Sequence, residues 1–191
     1  MQIYENVLPN VLLKKVQDVV FHSGTPWQFT TTTNISATDN LYGYSWGHLA
    51  IDQTGAKTAA ADVLHTAVLI ALEKAERPIK EIYRIRLGLL TVTHQRMIND
   101  PHIDVDVPHN TGLIYLNEAD GATILYENKY NISSKLNGSQ YLEKVVGNKL
   151  KIAHEIDPVP NRMVIFDGLT YHSSSTPTTV PRRVVLNFNF N

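Results

Sequence analysis

A histidine and an aspartate two residues apart, His102 and Asp104, stand just after the turn formers Asn99, Asp100 and Pro101. In an extended chain alternate side chains share a face, so this pair can close on one metal ion. A third donor must then come from a distant strand. His172 is placed to supply it, because it follows the apolar run 163–167 and precedes a Ser/Thr loop. Two imidazoles and one carboxylate on a single face of an octahedral ion leave three positions open, a donor set that suits non-haem iron(II) and dioxygen. A lone His-x-Asp is also common by chance, and after an Asn-Asp turn these residue types serve as ordinary loop chemistry. Asp106 and His109 compete for the same role, since Asp104 and Asp106 share a face as well. His94 and His154 lie in strand-like runs, where a histidine is more often a core or surface residue than a ligand.

The composition narrows the chemistry further. The 191 residues include no cysteine, which excludes disulfides, thiolate zinc sites and cysteine nucleophiles. Any metal must sit on His, Asp or Glu. Seventeen basic side chains against eighteen acidic ones give no broad positive field for gripping nucleic acid. No apolar stretch approaches the roughly 20 residues that span a bilayer, and the opening MQIYENVLPN has no basic-then-apolar signal pattern. The expectation is a soluble, cytoplasmic protein with no membrane partner.

The elements that must position these residues are legible in outline. A short strand at 2–8 ends at Pro9, and Asn10 reads as the N-cap of a helix to about Phe21, with Leu12, Val16 and Val19 at helical spacing. Residues 25–55 read as loops with short strands. A second helix is predicted from about Ala59 to Glu76, with Leu64, Val68 and Leu72 as its stripe. From Lys80 onward the runs 82–93, 111–117, 122–127, 149–156, 163–167 and 183–190 are β-rich and separated by turn formers. Helices followed by at least six strands predict a mainly β jelly roll with helices packed on one sheet. The division is a helical part at about 1–79 and a jelly-roll core at about 80–191, within one domain of 1–191.

In this order of parts the sequence resembles the 2-oxoglutarate/iron(II) oxygenase superfamily, nearest its prolyl-hydroxylase-like branch. The resemblance rests on PHID (101–104), YLNEADGATILYE (115–127), PNRMVIFDGLTYH (160–172) and PTTVPRRVVLNFNF (177–190). It implies a double-stranded β-helix in which His102, Asp104 and His172 bind Fe(II). It also implies that 2-oxoglutarate serves as co-substrate with dioxygen, and that an arginine of the last strand pairs with its distal carboxylate. Tyr115 matches a tyrosine that hydrogen-bonds the same carboxylate, although a core aromatic would look alike in sequence. The implied reaction hydroxylates a C–H bond while 2-oxoglutarate is decarboxylated to succinate and carbon dioxide. The segment 128–156 matches nothing in the family and reads as surface strands and loops near the mouth.

Arg182 and Arg183 are adjacent on a strand, so only one can face the barrel interior. The helices need an apolar sheet face, which Leu186, Phe188 and Phe190 would provide. That leaves Arg183, Val185, Asn187 and Asn189 on the inner side and makes Arg183 the expected clamp. Tyr42, Tyr44 and Trp46 are candidates for the substrate entrance, with plain packing as the commoner role. A polypeptide side chain, prolyl included, is the expected substrate, followed by a small metabolite. Nucleic acid is disfavoured by the balanced charge. It is disfavoured too by Phe188, Asn189 and Phe190, which stand where the demethylase branch carries a second arginine. A cupin-like metal enzyme that uses no 2-oxoglutarate and a non-catalytic binding module are the remaining alternatives.

Overall fold

The computed structural model describes residues 1–30 and 45–191. Tyr42 and Tyr44 lie outside the described residues. The chain forms two antiparallel sheets, a jelly roll of the double-stranded β-helix type, with two helices on the outer face of the larger sheet.

The larger sheet runs β1 (Gln2–Tyr4), β9 (Met163–Asp167), β6 (Asn110–Tyr115), β11 (Arg182–Phe190), β5 (Ile82–Thr91), β3 (Ser45–Asp52) and β2 (Gln28–Thr30), with β4 (Gly55–Ala56) paired to β3. The smaller sheet is β10 (Thr170–Ser174), β7 (Thr123–Lys129) and β8 (Ile152–Ile156). Leu113, Tyr115, Val164, Phe166 and Val185 of the larger sheet meet Leu125 and Ile156 of the smaller in one buried cluster between the two. The outer face of the larger sheet carries Ile85, Leu87, Ile114, Val184, Leu186, Phe188 and Phe190, packed on helices α1 (Asn10–Val20) and α2 (Ala61–Lys74). Leu64, Val68 and Leu72 of α2 are fully buried there, as their spacing predicts. Each such side chain contributes roughly 1.5–3 kcal/mol on leaving water. Gly112 faces Phe188 across β6 and β11, and a β-carbon there would lie 2.2 Å from the Phe188 ring. Only glycine lets that ring lie flat on the sheet.

Four local expectations are corrected. Asn10 is the first helical residue rather than the cap, because the Pro9 carbonyl already accepts from the amides of Leu12 and Leu13 at 2.9 and 3.0 Å. Residues 45–52 form a full strand, β3, which pairs along β5. His172 is followed not directly by a Ser/Thr loop but by Ser173 and Ser174 of the same strand, β10. Within 128–156 a helix α3 (Gly138–Tyr141) continues into a π-turn at Leu142–Val146, so the segment is not all strand and loop. Asn137 caps α3 by accepting from the Gln140 amide at 2.9 Å, and the Gln140 side chain accepts from the Asn137 amide at 3.3 Å. That reciprocal pair is a capping box, and it fixes a helix start where Asn-Gly alone reads as a turn.

Candidate metal centre and its cleft

His102 and His172 meet because their backbones pair. Each donates its N–H to the other's carbonyl at 2.9 Å, as directly opposed residues of an antiparallel bridge do. Opposed residues put their side chains on the same face, and the two rings lie 4.5 Å apart. Asp104, two residues on from His102, follows on that face. Its Oδ1 is 4.0 Å from His102 Nε2 and its Oδ2 is 3.9 Å from His172 Nε2. The three side chains offer one donor atom each within 4.8 Å of one another, a spacing that one small cation can satisfy.

The tautomers follow from the neighbours. His102 Nδ1 lies 3.2 Å from the Asp100 carbonyl, and His172 Nδ1 lies 3.2 Å from the Thr170 carbonyl. A carbonyl can only accept, so Nδ1 carries the proton in each ring and the Nε2 lone pair faces Asp104. Burial pushes the His172 imidazole down to about 4, helped by His102, and burial lowers His102 too. Both rings are therefore neutral at neutral pH. Burial opposes ionisation of Asp104, yet the Arg84 guanidinium and the two histidines hold its carboxyl well below the usual range.

Asp104 is gripped from the larger sheet. Arg84 Nη2 sits 2.6 Å from Oδ1, while Asn187 and Asn189 donate to Oδ2 at 3.2 and 3.0 Å. Asn189 also accepts from Arg84 Nε at 3.0 Å and donates to Thr111 at 3.1 Å. β11 and β5 are in register here, Asn187 opposite Arg86 and Asn189 opposite Arg84. The sequence pattern placed Asn187 and Asn189 on the inner, active-site face of β11, as found, but did not single out Arg84 or Arg86. The signal was the Arg-x-Arg at period two in IYRIRLGLL, which reads as a solvent face.

A cleft open to solvent runs from the triad along the inner face of β11 and β5. At its other end stands Arg183, 3% exposed, opposite Leu90. Arg182 points the other way, exposed, with its guanidinium carbon 4.4 Å from the centre of the Phe21 ring. Arg183 Nη2 donates to Thr123 Oγ1 at 2.6 Å, and Tyr115 donates to the same oxygen at 2.8 Å. Tyr115 is fully buried behind Thr123, and burial raises its hydroxyl above the ordinary value. Thr123 itself lines the cleft. Arg183 Nε is buried without a hydrogen-bond partner.

The rival residues lie elsewhere. Asp106 accepts from the Gly138 amide at 3.3 Å. His109 packs against Gly168, where a β-carbon would lie 2.1 Å from the ring, and its nitrogens meet the Val107 carbonyl at 2.7 Å and the Thr111 hydroxyl at 3.3 Å. His94 and His154 are exposed. Trp46 borders the cleft and tilts against Phe29, ring centres 5.0 Å apart. No helix among the described residues is long and apolar enough to cross a membrane.

No protein-family model matches the chain, and no curated protein matches it by sequence. Solved structures do. A Trichoplax adhaerens prolyl hydroxylase in complex with a hypoxia-inducible-factor peptide aligns with a TM-score of 0.60 at 16% identity, covering 99% of this chain and 82% of that one. An oxidoreductase of the 2OG-Fe(II) oxygenase family from Burkholderia pseudomallei gives 0.64 at 9% identity, covering 97% and 81%. The epimerase SnoN, in complex with Fe3+, alpha-ketoglutarate and nogalamycin RO, gives 0.60 at 11%, covering 98% and 77%. The fold is that of the 2-oxoglutarate/iron(II) oxygenases.

Proposed function

We propose that this chain is an iron(II)- and 2-oxoglutarate-dependent dioxygenase. In this reading His102, Asp104 and His172 hold the metal and Arg183 binds the distal carboxylate of 2-oxoglutarate. The observation that carries it is the pairing, in one cleft, of a three-donor cluster with a buried guanidinium whose Nε has no partner. A buried, unpaired donor on a permanent cation is costly, and a carboxylate is the ligand that relieves it.

The residues fit the group. Neutral imidazoles and an ionised carboxylate are the protonation states that a divalent ion requires, and the fold sets all three before any ion arrives. Thr123 Oγ1 already accepts from Arg183 and Tyr115, so both lone pairs are used and its own O–H remains to donate. Thr123 and Arg183 together thus offer two donors to one carboxylate, with Tyr115 fixing the threonine from behind. Tyr115 is in this reading a positioning residue. Bound iron and 2-oxoglutarate would supply oxygen activation, with decarboxylation to succinate coupled to hydroxylation of a substrate C–H bond. Around that chemistry Arg84, Asn187 and Asn189 hold the carboxylate of Asp104 in place, and Phe166, 5.0 Å from the His172 ring edge-on, walls off water on the far side. A polypeptide side chain, prolyl included, is the preferred substrate, with a small molecule second.

The test is succinate formation from 2-oxoglutarate with added Fe(II). His102→Ala, Asp104→Ala and His172→Ala should each abolish it and weaken metal binding, while Asp106→Ala and His154→Ala should not. Turnover that survives His172→Ala would overturn the ligand set. Metal-dependent oxidation without any succinate would instead favour a cupin-like enzyme.

A further inference from the structure

Arg86 is a second guanidinium in the same cleft, and neither the metal centre nor the 2-oxoglutarate clamp uses it. It lines the cleft opposite Asn187, at the level of the triad rather than of Arg183. Arg183 faces Leu90, four residues further along β5, so the two arginines leave their strands roughly 13 Å apart. No hydrogen bond or ion pair joins Arg86 to a described residue. The nearby acid, Asp104, is already taken by Arg84, Asn187 and Asn189.

The surroundings keep this side chain free. Its cross-strand neighbour on β3 is Leu49, and the next inward pair is Gly47 opposite Gly88. A β-carbon on Gly47 would lie 3.6 Å from Arg86 Nη2, so on the β3 side, among the described residues, the fork rests along bare backbone.

Charge decides what the fork is for. Three guanidinium groups, Arg84, Arg86 and Arg183, stand in or beside a cleft whose only acidic side chain among the described residues is Asp104. If the proposed function holds, iron(II) brings two positive charges and 2-oxoglutarate two negative ones, which cancel. An excess of two positive charges then remains beside the open metal positions. A half-buried cation in that field is stabilised by an anion and by little else.

We infer that Arg86 anchors a carboxylate of the substrate itself, so that the C–H bond to be oxidised belongs to an acidic molecule or an acidic peptide segment. This rests on the iron and 2-oxoglutarate reading above. Arg86 selects and orients; it takes no part in the bond changes.

The experiment uses the full chain loaded with Mn(II), which is paramagnetic, and saturated with 2-oxoglutarate. Matched probes differ only in charge: benzoate against benzamide, and N-acetyl-L-proline against N-acetyl-L-prolinamide. Relaxation of probe protons by Mn(II) reports binding beside the metal. The native protein should bind each carboxylate at least tenfold more tightly than its amide. Arg86→Gln should bring that ratio to about one, and Arg86→Lys should keep most of it, which separates lost charge from lost folding. A preference that survives Arg86→Gln, or no preference in the native protein, would overturn the inference. So would a loss in Arg86→Gln matched by an equal loss of 2-oxoglutarate affinity, since Arg86 would then serve the co-substrate. Failure of the native protein to bind Mn(II) and 2-oxoglutarate at all would overturn the proposed function along with it.

Discussion

The two ends of the cleft handle buried charge in opposite ways. Around Asp104 the charge is closed, although not every polar atom is: one carboxylate is met by Arg84, Asn187 and Asn189 before any ion is present, while Arg84 Nη2 has only its ion pair and Asn187 Oδ1 makes no hydrogen bond. Around Arg183 it is open: a fully buried guanidinium is met by one hydroxyl, and its Nε is left idle. A closed network holds its geometry and presents a finished site to a metal ion. An open one stores an unsatisfied donor that only an arriving anion completes. In the proposed function the closed end is scaffold for a resident ion and the open end a receptor for a co-substrate that comes and goes.

The comparison breaks most visibly at Arg183. Arg183→Ala should raise the 2-oxoglutarate requirement roughly 100-fold or more, the scale of removing one partner from a buried ion pair. Arg182→Ala should stay within about twofold, because its side chain is exposed. Steady-state kinetics in 2-oxoglutarate check both, and the reverse ranking would show that the receptor lies on the other face of β11. At the closed end, Asn189→Ala removes a donor to Asp104 and an acceptor from Arg84 together. Metal affinity should fall by about 10- to 100-fold with the 2-oxoglutarate requirement moving less, as metal titration and kinetics would show.

Thr123→Val sharpens the open end. Two buried donors lose their shared acceptor, at a cost of roughly 1–3 kcal/mol. The 2-oxoglutarate requirement should rise accordingly, by more than in Tyr115→Phe, which loses only the supporting bond. Acid should then separate the ends by a smaller effect. The His172 imidazole titrates near 4 when folded against 6.5 in its unperturbed form. Between those values the unfolded chain binds the proton that the folded one refuses, so metal-free stability falls as pH drops from about 6.5 towards 4. Thermal melting of the metal-free protein across that range checks it, and His172→Gln should flatten the slope. At the Arg183 end burial lowers the arginine only from a starting value far above this window and raises the Tyr115 hydroxyl further away from it, so neither titrates here.

How much of this the sequence carries depends on the period of each element. His102 and Asp104 declare a shared face because two-residue alternation is strict in extended chain. The orientation of β11 is legible for the same reason, once the two helices demand an apolar face to pack on. Arg84 and Arg86 escape notice because a cleft face is polar, and in one strand a polar cleft looks like solvent. β10, with the sequence TYHSS, carries no apolar alternation and is separated from the end of β9 by only two residues. Nothing local says that the chain has crossed to the other sheet. The helix after Asn137 was available in the Asn-x-x-Gln spacing, but Asn-Gly speaks louder as a turn.

The position of β11 has a bearing on how the molecule is made. The last strand of the chain is not at a sheet edge but in the middle, hydrogen-bonded to β5 on one side and β6 on the other. Until it is in place those two strands have no common partner, Phe188 and Phe190 are missing from beneath the helices, and Asp104 lacks two of its three supports. Pairings that span nearly a hundred residues close late and slowly. Until β11 pairs, the folding chain therefore displays two unpaired strand edges and a bare apolar helix face, the surfaces most prone to sticking to another chain.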